Sequence, residues 1–120
     1  MAVISKGILS GSTNGRPFRV LGATTSGGTL VHTAITATGT NNGDEVWIWA
    51  SNTGTTTCQL VLRHGGTSSS DEMKFSVPAS DGYYLVSPGL LLNGGLIVRA
   101  HSSASNQINV VGYINGTATV

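Results

Sequence analysis

The stretch Asp44–Ser51, DEVWIWAS, alternates strictly between two sets of side chains. Val46, Ile48 and Ala50 occupy every second position, and Trp47 and Trp49 lie between them. Because successive side chains of a β-strand point to opposite faces, this order predicts a strand with two different apolar faces. The neighbouring segments repeat the same period of two.

Four further segments alternate in this way, at Thr56–His64, Glu72–Val77, Gly95–His101 and Gln107–Ile114. Weaker strands are predicted at Val3–Leu9, Phe18–Leu21, Thr29–Ala37 and Tyr83–Val86. We find no convincing helical period in the chain. Short strands at this spacing are typical of a sandwich or a barrel. The sequence therefore predicts an all-β, single-domain fold, an antiparallel β-sandwich.

Turn residues separate the predicted strands. Asn-Gly pairs, which favour tight turns with positive φ, occur at Asn14–Gly15, Asn42–Gly43, Asn93–Gly94 and Asn115–Gly116. The tripeptide Ser87-Pro88-Gly89 predicts a turn into the apolar segment Leu90–Leu92. Residues 1–28 are the least globular part. We predict an arm with the first strands there, extended towards neighbours, and a sandwich core over residues 29–120.

Composition excludes several classes of protein. Only 9% of the 120 residues are charged, where about 25% is usual, and the formal net charge is +1. The six Lys and Arg form no basic stripe, so no nucleic-acid partner is expected. No apolar run approaches the roughly 18 residues of a membrane span. Met1–Leu9 lacks the features of a signal peptide, so synthesis in a cytosol is expected.

Residues capable of chemistry are few and scattered. Cys58 is the single cysteine, which excludes an intrachain disulfide and a cysteine-based zinc cluster. The three histidines, His32, His64 and His101, show no metal-ligand spacing. A triad of one histidine, Asp81 and a serine has no Gly-x-Ser-x-Gly motif to support it. We therefore expect no enzymatic activity, no metal and no cofactor.

Two acidic pairs, Asp44–Glu45 and Asp71–Glu72, stand at predicted strand starts. Adjacent side chains on a strand face opposite ways, so neither pair converges easily on one calcium ion. Our interpretation is that these charges guard strand ends against unwanted pairing.

Five blocks, in order along Leu30–Tyr113 and just beyond it, carry a resemblance to a known family. They are DEVWIWASN (44–52), QLVLRHGGT (59–67), DEMKFSVP (71–78), DGYYLVSPGLLLNGGLIVRA (81–100) and INVVGYIN (108–115). In this order they resemble the capsid decoration, or cement, proteins encoded near the capsid gene of tailed bacteriophages. The ending GTATV (116–120) departs from the short, often basic ending of that family.

The resemblance implies a jelly-roll-like sandwich without catalytic residues or cofactor. It implies a location on the outer surface of the virion capsid, after synthesis in the host cytoplasm. The implied partners are the major capsid protein and further copies of the chain, as a symmetric homo-oligomer (trimer or dimer). It implies no nucleic-acid or membrane partner.

Candidate interface residues follow from side-chain chemistry. Trp47 and Trp49 either lie in a core on both faces of their strand or form an exposed interface between subunits. Phe18 with Arg16 and Arg19 is predicted to contact the capsid. Arg63 and Arg99 are also suited to an acidic surface, because Arg binds carboxylates with two parallel hydrogen bonds.

Two other functions stay open. A carbohydrate-binding sandwich would present exposed rings in a row, with Trp47, Trp49, Tyr83 and Tyr84 as candidates. A small hydrolase would bring a histidine and an aspartate together in a cleft.

Overall fold

A computed structural model describes residues 2–21, 28–104 and 107–119. In these ranges it contains nine β-strands, one 3₁₀ turn (Ser69–Asp71) and no α-helix, and hence no helix long and apolar enough to cross a membrane. The strands are β1 (Ala2–Ile8), β2 (Phe18–Arg19), β3 (Thr29–Thr33), β4 (Gly43–Asn52), β5 (Cys58–His64), β6 (Glu72–Val77), β7 (Tyr84–Leu92), β8 (Ile97–Ser102) and β9 (Ile108–Thr119).

The strands form two antiparallel sheets. Sheet A has the order β1-β9-β4-β7, and β2 also pairs with β9. Sheet B has the order β3-β8-β5-β6. Most connections cross from one sheet to the other, which is the strand order of an eight-stranded jelly roll with β2 as a short addition. The predicted all-β antiparallel sandwich is confirmed.

The core lies between the sheets and is built by the predicted alternation. Val46, Ile48 and Ala50 of β4 are fully buried. They pack in one cluster with inward residues of the other strands, among them Cys58, Leu60, Leu62, Val98, Ala100, Ile108 and Val110. Burying such side chains contributes roughly 1.5–3 kcal/mol each, so this cluster is the main source of stability.

Polar side chains at the two ends of β4 tie the sheets together. At the start of β4, Asp44 Oδ2 lies 2.8 Å from His32 Nε2 on β3. At its end, Asn52 Nδ2 donates to the Thr56 and Val77 carbonyls at 2.8 and 2.9 Å. Asp44 is only 5% exposed, so the interpretation that it guards a strand end is wrong. It is a buried acceptor.

Two of the four predicted Asn-Gly turns are present. Asn14 and Gly15 have φ of 54° and 82°, and Gly94 has φ of 69°. The predictions at Asn42–Gly43 and Asn115–Gly116 are wrong, because Gly43 begins β4 and the second pair lies inside β9. Strand partners on both sides of β9, β1 and β4, override the local turn preference there.

The predicted turn at Ser87-Pro88-Gly89 is also wrong. β7 runs without a break from Tyr84 to Leu92, and its register against β4 shifts twice, once at Val86 and once at Gly89. Gly89 has φ of 76°, and a bulge in an edge strand accommodates both proline and such a glycine. The strand predicted at Tyr83–Val86 is therefore the first half of a longer one.

The described part of residues 1–28 belongs to the sandwich. β1 pairs with β9 from Ala2 opposite Thr119 to Ile8 opposite Tyr113. Leu9 and Val20 are fully buried in the core. Residues 22–27 of the predicted arm lie outside the described residues, and its contact with a neighbour stays a prediction.

Candidate functional site

The outward side of sheet A carries three stacked aromatic rings. Trp47 and Trp49 project from β4 on the side opposite the core, and Tyr113 of β9 stands directly across from Trp47. Ring centroids lie 6.2 Å apart for the two tryptophans, and 6.2 and 6.0 Å from each of them to Tyr113. All three rings are half-buried. Of the two interpretations of the tryptophans, the one that places them in a core on both faces of their strand is therefore wrong.

Contacts with residues of three strands hold the aromatic rings against the sheet. A Cβ added at Gly89 would lie 2.7 Å from Cζ2 of Trp47, so the indole rests on the bare backbone of β7. Trp47 Nε1 donates to Glu45 Oε1 at 3.3 Å, and Asn115 Nδ2 donates to the same oxygen at 3.4 Å. The rings therefore have a fixed position before any partner arrives.

Exposed aliphatic side chains extend the cluster over the sheet. Strand pairing puts Ile4 and Ile8 of β1 and Leu85 and Leu91 of β7 on the outward side, beside residues of β9 and β4. Their exposures run from 45% to 73%. We call the outward side of sheet A, comprising these residues with Trp47, Trp49 and Tyr113, the aromatic face. The largest exposed apolar surface of a soluble protein is often a contact surface for a partner.

Two charges accompany the rings. Lys6 Nζ lies 4.8 Å from the centre of the Tyr113 ring, a cation–π contact, and Glu45 accepts from Trp47 on the other side. The aromatic face therefore carries one cation and one anion, in the same row of the sheet and with Asn115 between them. Beside it, Trp49, Val111 and Tyr83 line a shallow, mostly apolar depression of about 320 Å³.

The predicted arginines are divided between the sheets. Arg63 and Arg99 stand opposite each other on the outward side of sheet B, where Arg63 binds Glu72 through Nε at 3.2 Å and Nη2 at 3.0 Å. Arg19 lies beside Asn109 at the β2 edge of sheet A. Arg16 is exposed in the preceding loop. The structure therefore does not gather the predicted interface residues into one site.

Phe18 is turned towards its own chain. It stands opposite the buried Val110 and packs, half-buried, against the core. The capsid contact predicted for Arg16, Phe18 and Arg19 stays a prediction, but the Phe18 ring contributes to the sandwich in this structure.

The single close histidine–aspartate contact among the described residues is buried. His32 is 4% exposed, and its Nδ1 accepts the Ser10 amide at 3.0 Å, so Nε2 is left to donate to Asp44. The Ser10 hydroxyl accepts from the Thr33 amide and is not directed at the imidazole by any hydrogen bond. Asp81, named with the hypothetical triad, instead accepts from the Tyr84 hydroxyl, which raises the pKa of Tyr84.

Ranges 2–21, 28–104 and 107–119 contain no group of three or more His, Cys, Asp or Glu placed to hold a metal ion. His64 and His101 lie on β5 and β8, His64 within 3.3 Å of the Leu91 carbonyl. Comparison with family models, curated proteins and solved structures found no match.

Sequence reasoning missed two features. Tyr113 was assigned to an alternating strand, but its register opposite Trp47 depends on long-range pairing of β4 with β9. The His32–Asp44 contact joins two sheets and has no local signal. Asp44 stands two residues before Val46, in phase with the inward row of β4, and this spacing was the one hint that a carboxylate faces the core.

Proposed function

We propose that this protein is a structural decoration protein of a tailed-phage capsid, with two copies joined through the aromatic face. Two facts support this function. One is the resemblance of the sequence blocks to the cement family, which stays an expectation from the sequence, and the other is the aromatic face, an exposed, preorganised apolar surface on a rigid sheet. The aromatic face is the observation that carries the proposal. No catalytic step is part of it.

The aromatic face fits a second copy of the same chain. A two-fold contact brings one patch against itself, so the patch must complement its own charges. Lys6 and Glu45 lie on the same face, on β1 and β4, separated by Asn115 of β9. A two-fold axis that runs along β9, midway between these two residues, would bring the cation of one copy towards the anion of the other.

The size of the aromatic face sets the strength of that contact. Four strands spaced by about 4.8 Å and four outward rows spaced by about 6.8 Å give a patch of roughly 500 Å². Two copies would then bury roughly 1,000 Å² in total, the lower end for a specific interface. Such a contact is weak alone, and many copies bound to one shell would reinforce it through multivalency.

The capsid contact is assigned to the β1–β2 edge. Arg16 and Arg19 are exposed there, and neither binds a carboxylate of the described residues. Arginines of this kind suit an acidic surface on the major capsid protein. Each dimer would then bridge capsid subunits and oppose their separation under packaged DNA.

Binding to empty shells tests the function. Shells assembled from the major capsid protein encoded by the same phage genome are mixed with the purified chain and separated on a density gradient. We expect saturable comigration for the wild-type chain and for Lys74→Gln, a control on sheet B. The double variant Arg16→Gln/Arg19→Gln should bind about 10-fold or more weakly. Absence of wild-type comigration with both unexpanded and expanded shells would contradict the proposal.

A second candidate, carbohydrate binding, is favoured by the depression at Trp49, Tyr83 and Val111. Tyr83 is 66% exposed, and a flat ring beside an apolar floor suits a sugar face. A glycan array separates the two functions. Binding that is lost in Tyr83→Ala, with capsid binding intact, would add this activity, whereas no binding to any glycan would remove it.

A further inference from the structure

The outward side of sheet B is the cationic side of the molecule. Arg63 and Arg99 stand directly opposite each other on β5 and β8, a like-charge pair that destabilises neighbouring strands. Lys74 and His101 flank Val61 on the same face, Glu72 is the carboxylate of this face, and the Asp71 carboxylate lies against Gly66 at the end of the sheet. Burial, followed by the positive charges of Arg63 and Lys74, lowers the pKa of His101, which is consistent with the cations around it.

None of the chain's five side-chain carboxylates is available to Arg99. No carboxylate of the described residues lies within ion-pair distance of Arg99, and each of the five accepts from another group: Asp44 from His32, Glu45 from Trp47, Asp71 from Ser68, Glu72 from Arg63, and Asp81 from Tyr84. Arg99 is half-buried and has no hydrogen-bond acceptor among the described residues. Arg16 and Arg19 are also unpaired but exposed, so among the described residues Arg99 is the one unpaired arginine that is half-buried.

Arg99 lines a depression of about 210 Å³ at the end of sheet B, together with two glycine-rich loops. Gly65 and Gly66 with Thr67 form one wall, and Gly95 belongs to the other. Gly65 has φ of 98°, and the Gly66 and Thr67 amides have no acceptor in the described part of the chain. Backbone amides exposed in such a loop are donors that suit an anion.

We propose that this depression binds an oxyanion, a carboxylate, sulfate or phosphate group, with the Arg99 guanidinium as its principal ligand. The planar guanidinium offers two parallel donors to such a group, and the loop amides add further donors. At this position Arg99 lowers the stability of the fold, because it stands opposite another cation, but its guanidinium is placed to bind an anion. Such a loss of stability is expected where a residue serves binding. The site lies on the sheet opposite the aromatic face and does not depend on the function proposed above.

Calorimetric titration at constant ionic strength tests the site with three probes: inorganic phosphate, sulfate and glucuronate. We expect the wild-type chain to bind at least one probe at a single site. Arg99→Gln should weaken that binding about 10- to 100-fold. The control Arg19→Gln removes an arginine from sheet A and should bind as the wild type does.

The probes distinguish the sources of the anion, since a preference for glucuronate assigns the site to sugar acids and a preference for phosphate to phosphorylated groups. Arg99→Lys keeps the charge without the planar fork and should recover only part of the affinity. Thermal unfolding of Arg99→Gln without ligand should show no loss of stability, because a like-charge contact is removed. Three results would overturn the proposal: no probe binds the wild-type chain, Arg99→Gln binds as well as the wild type, or Arg19→Gln weakens binding equally.

Discussion

The two faces of β4 differ in what their side chains do. The inward row, Asp44, Val46, Ile48, Ala50 and Asn52, is at most 5% exposed and fills the core or ties the sheets together. The outward row contains Trp47 and Trp49, which remain half-buried although they are the largest side chains on the strand. Alternation alone therefore separates residues that stabilise the fold from residues available to a partner.

This difference shows which apolar residues of a strand give information about a binding partner. An apolar residue in the inward row is explained by the core, whereas the described residues place no second sheet over the rings of the outward row. The substitutions below test this separation, beginning with the largest expected change in stability.

Ile48→Ala should cause the largest loss, about 2–5 kcal/mol, because it leaves a cavity beneath a fully buried position. Ile48→Val, the matched control, removes one methylene and should cost about 0.5–1.5 kcal/mol. Denaturant unfolding followed by circular dichroism measures both. Equal losses in the two variants would show that this position is not tightly packed.

Asp44→Ala should destabilise the fold by about 2–3 kcal/mol, because the His32 imidazole and the Ile35 amide both lose their acceptor, Asp44 Oδ2. Asp44→Asn keeps one carbonyl oxygen for both donors and should cost less than half as much. The same unfolding measurement compares the variants. If they are equally destabilised, the hydrogen bonds to Oδ2 are not what holds the two sheets at this end.

Trp49→Thr should lower monomer stability by about 1–2 kcal/mol, because the stacking on Trp47 and Tyr113 is lost while the position lies outside the core. Unfolding at high dilution measures this change without self-association. A loss of stability as large as that of Ile48→Ala would show that Trp49 stabilises the fold as the inward row does. It would contradict the proposed difference between the two faces of β4.

Arg99→Gln should raise stability by about 0.2–1 kcal/mol, whereas Arg63→Gln should lower it, because Arg63 alone of the two binds Glu72. The two substitutions remove the same charge from adjacent strands, so each is the control for the other. Thermal unfolding at low salt compares them. Opposite signs are expected, and a loss of stability in Arg99→Gln would contradict the description of sheet B.

The smallest effect concerns pH. The pKa of His101 is lowered in the folded chain, first by burial and then by Arg63, so the unfolded chain binds the proton more readily. Stability should therefore fall as the pH drops below the ordinary histidine value towards the lowered one. His101→Gln should flatten this part of the profile, measured by unfolding between about pH 7 and 5. An unchanged slope would assign the dependence to another group.

Much of the fold was predictable, because period-two alternation is a local property that reports the face on which each side chain lies. The five strongly alternating segments lie on β4, β5, β6, β8 and β9. Local turn signals failed where partners on both sides impose a strand, as at Asn115–Gly116 in β9. They failed again at Gly89, where a positive φ serves a bulge under Trp47 and not a chain reversal.

The candidate sites were less predictable, since each depends on register between distant strands. Trp47 and Trp49 were identified from the sequence, but the addition of Tyr113 required the pairing of β4 with β9. Arg63 and Arg99 were named separately, and only the pairing of β5 with β8 shows that they face each other. No spacing rule in a single strand contains that information.

Sedimentation equilibrium of the wild-type chain and of Trp47→Thr/Trp49→Thr tests most directly whether the outward row of β4 serves a partner. If the outward row binds a second copy of the chain, the wild-type chain should self-associate reversibly to a dimer as its concentration rises. The double variant should remain monomeric with an unchanged β-sheet spectrum. A wild-type chain that stays monomeric at every concentration, or a double variant that dimerises equally well, would contradict binding through this row.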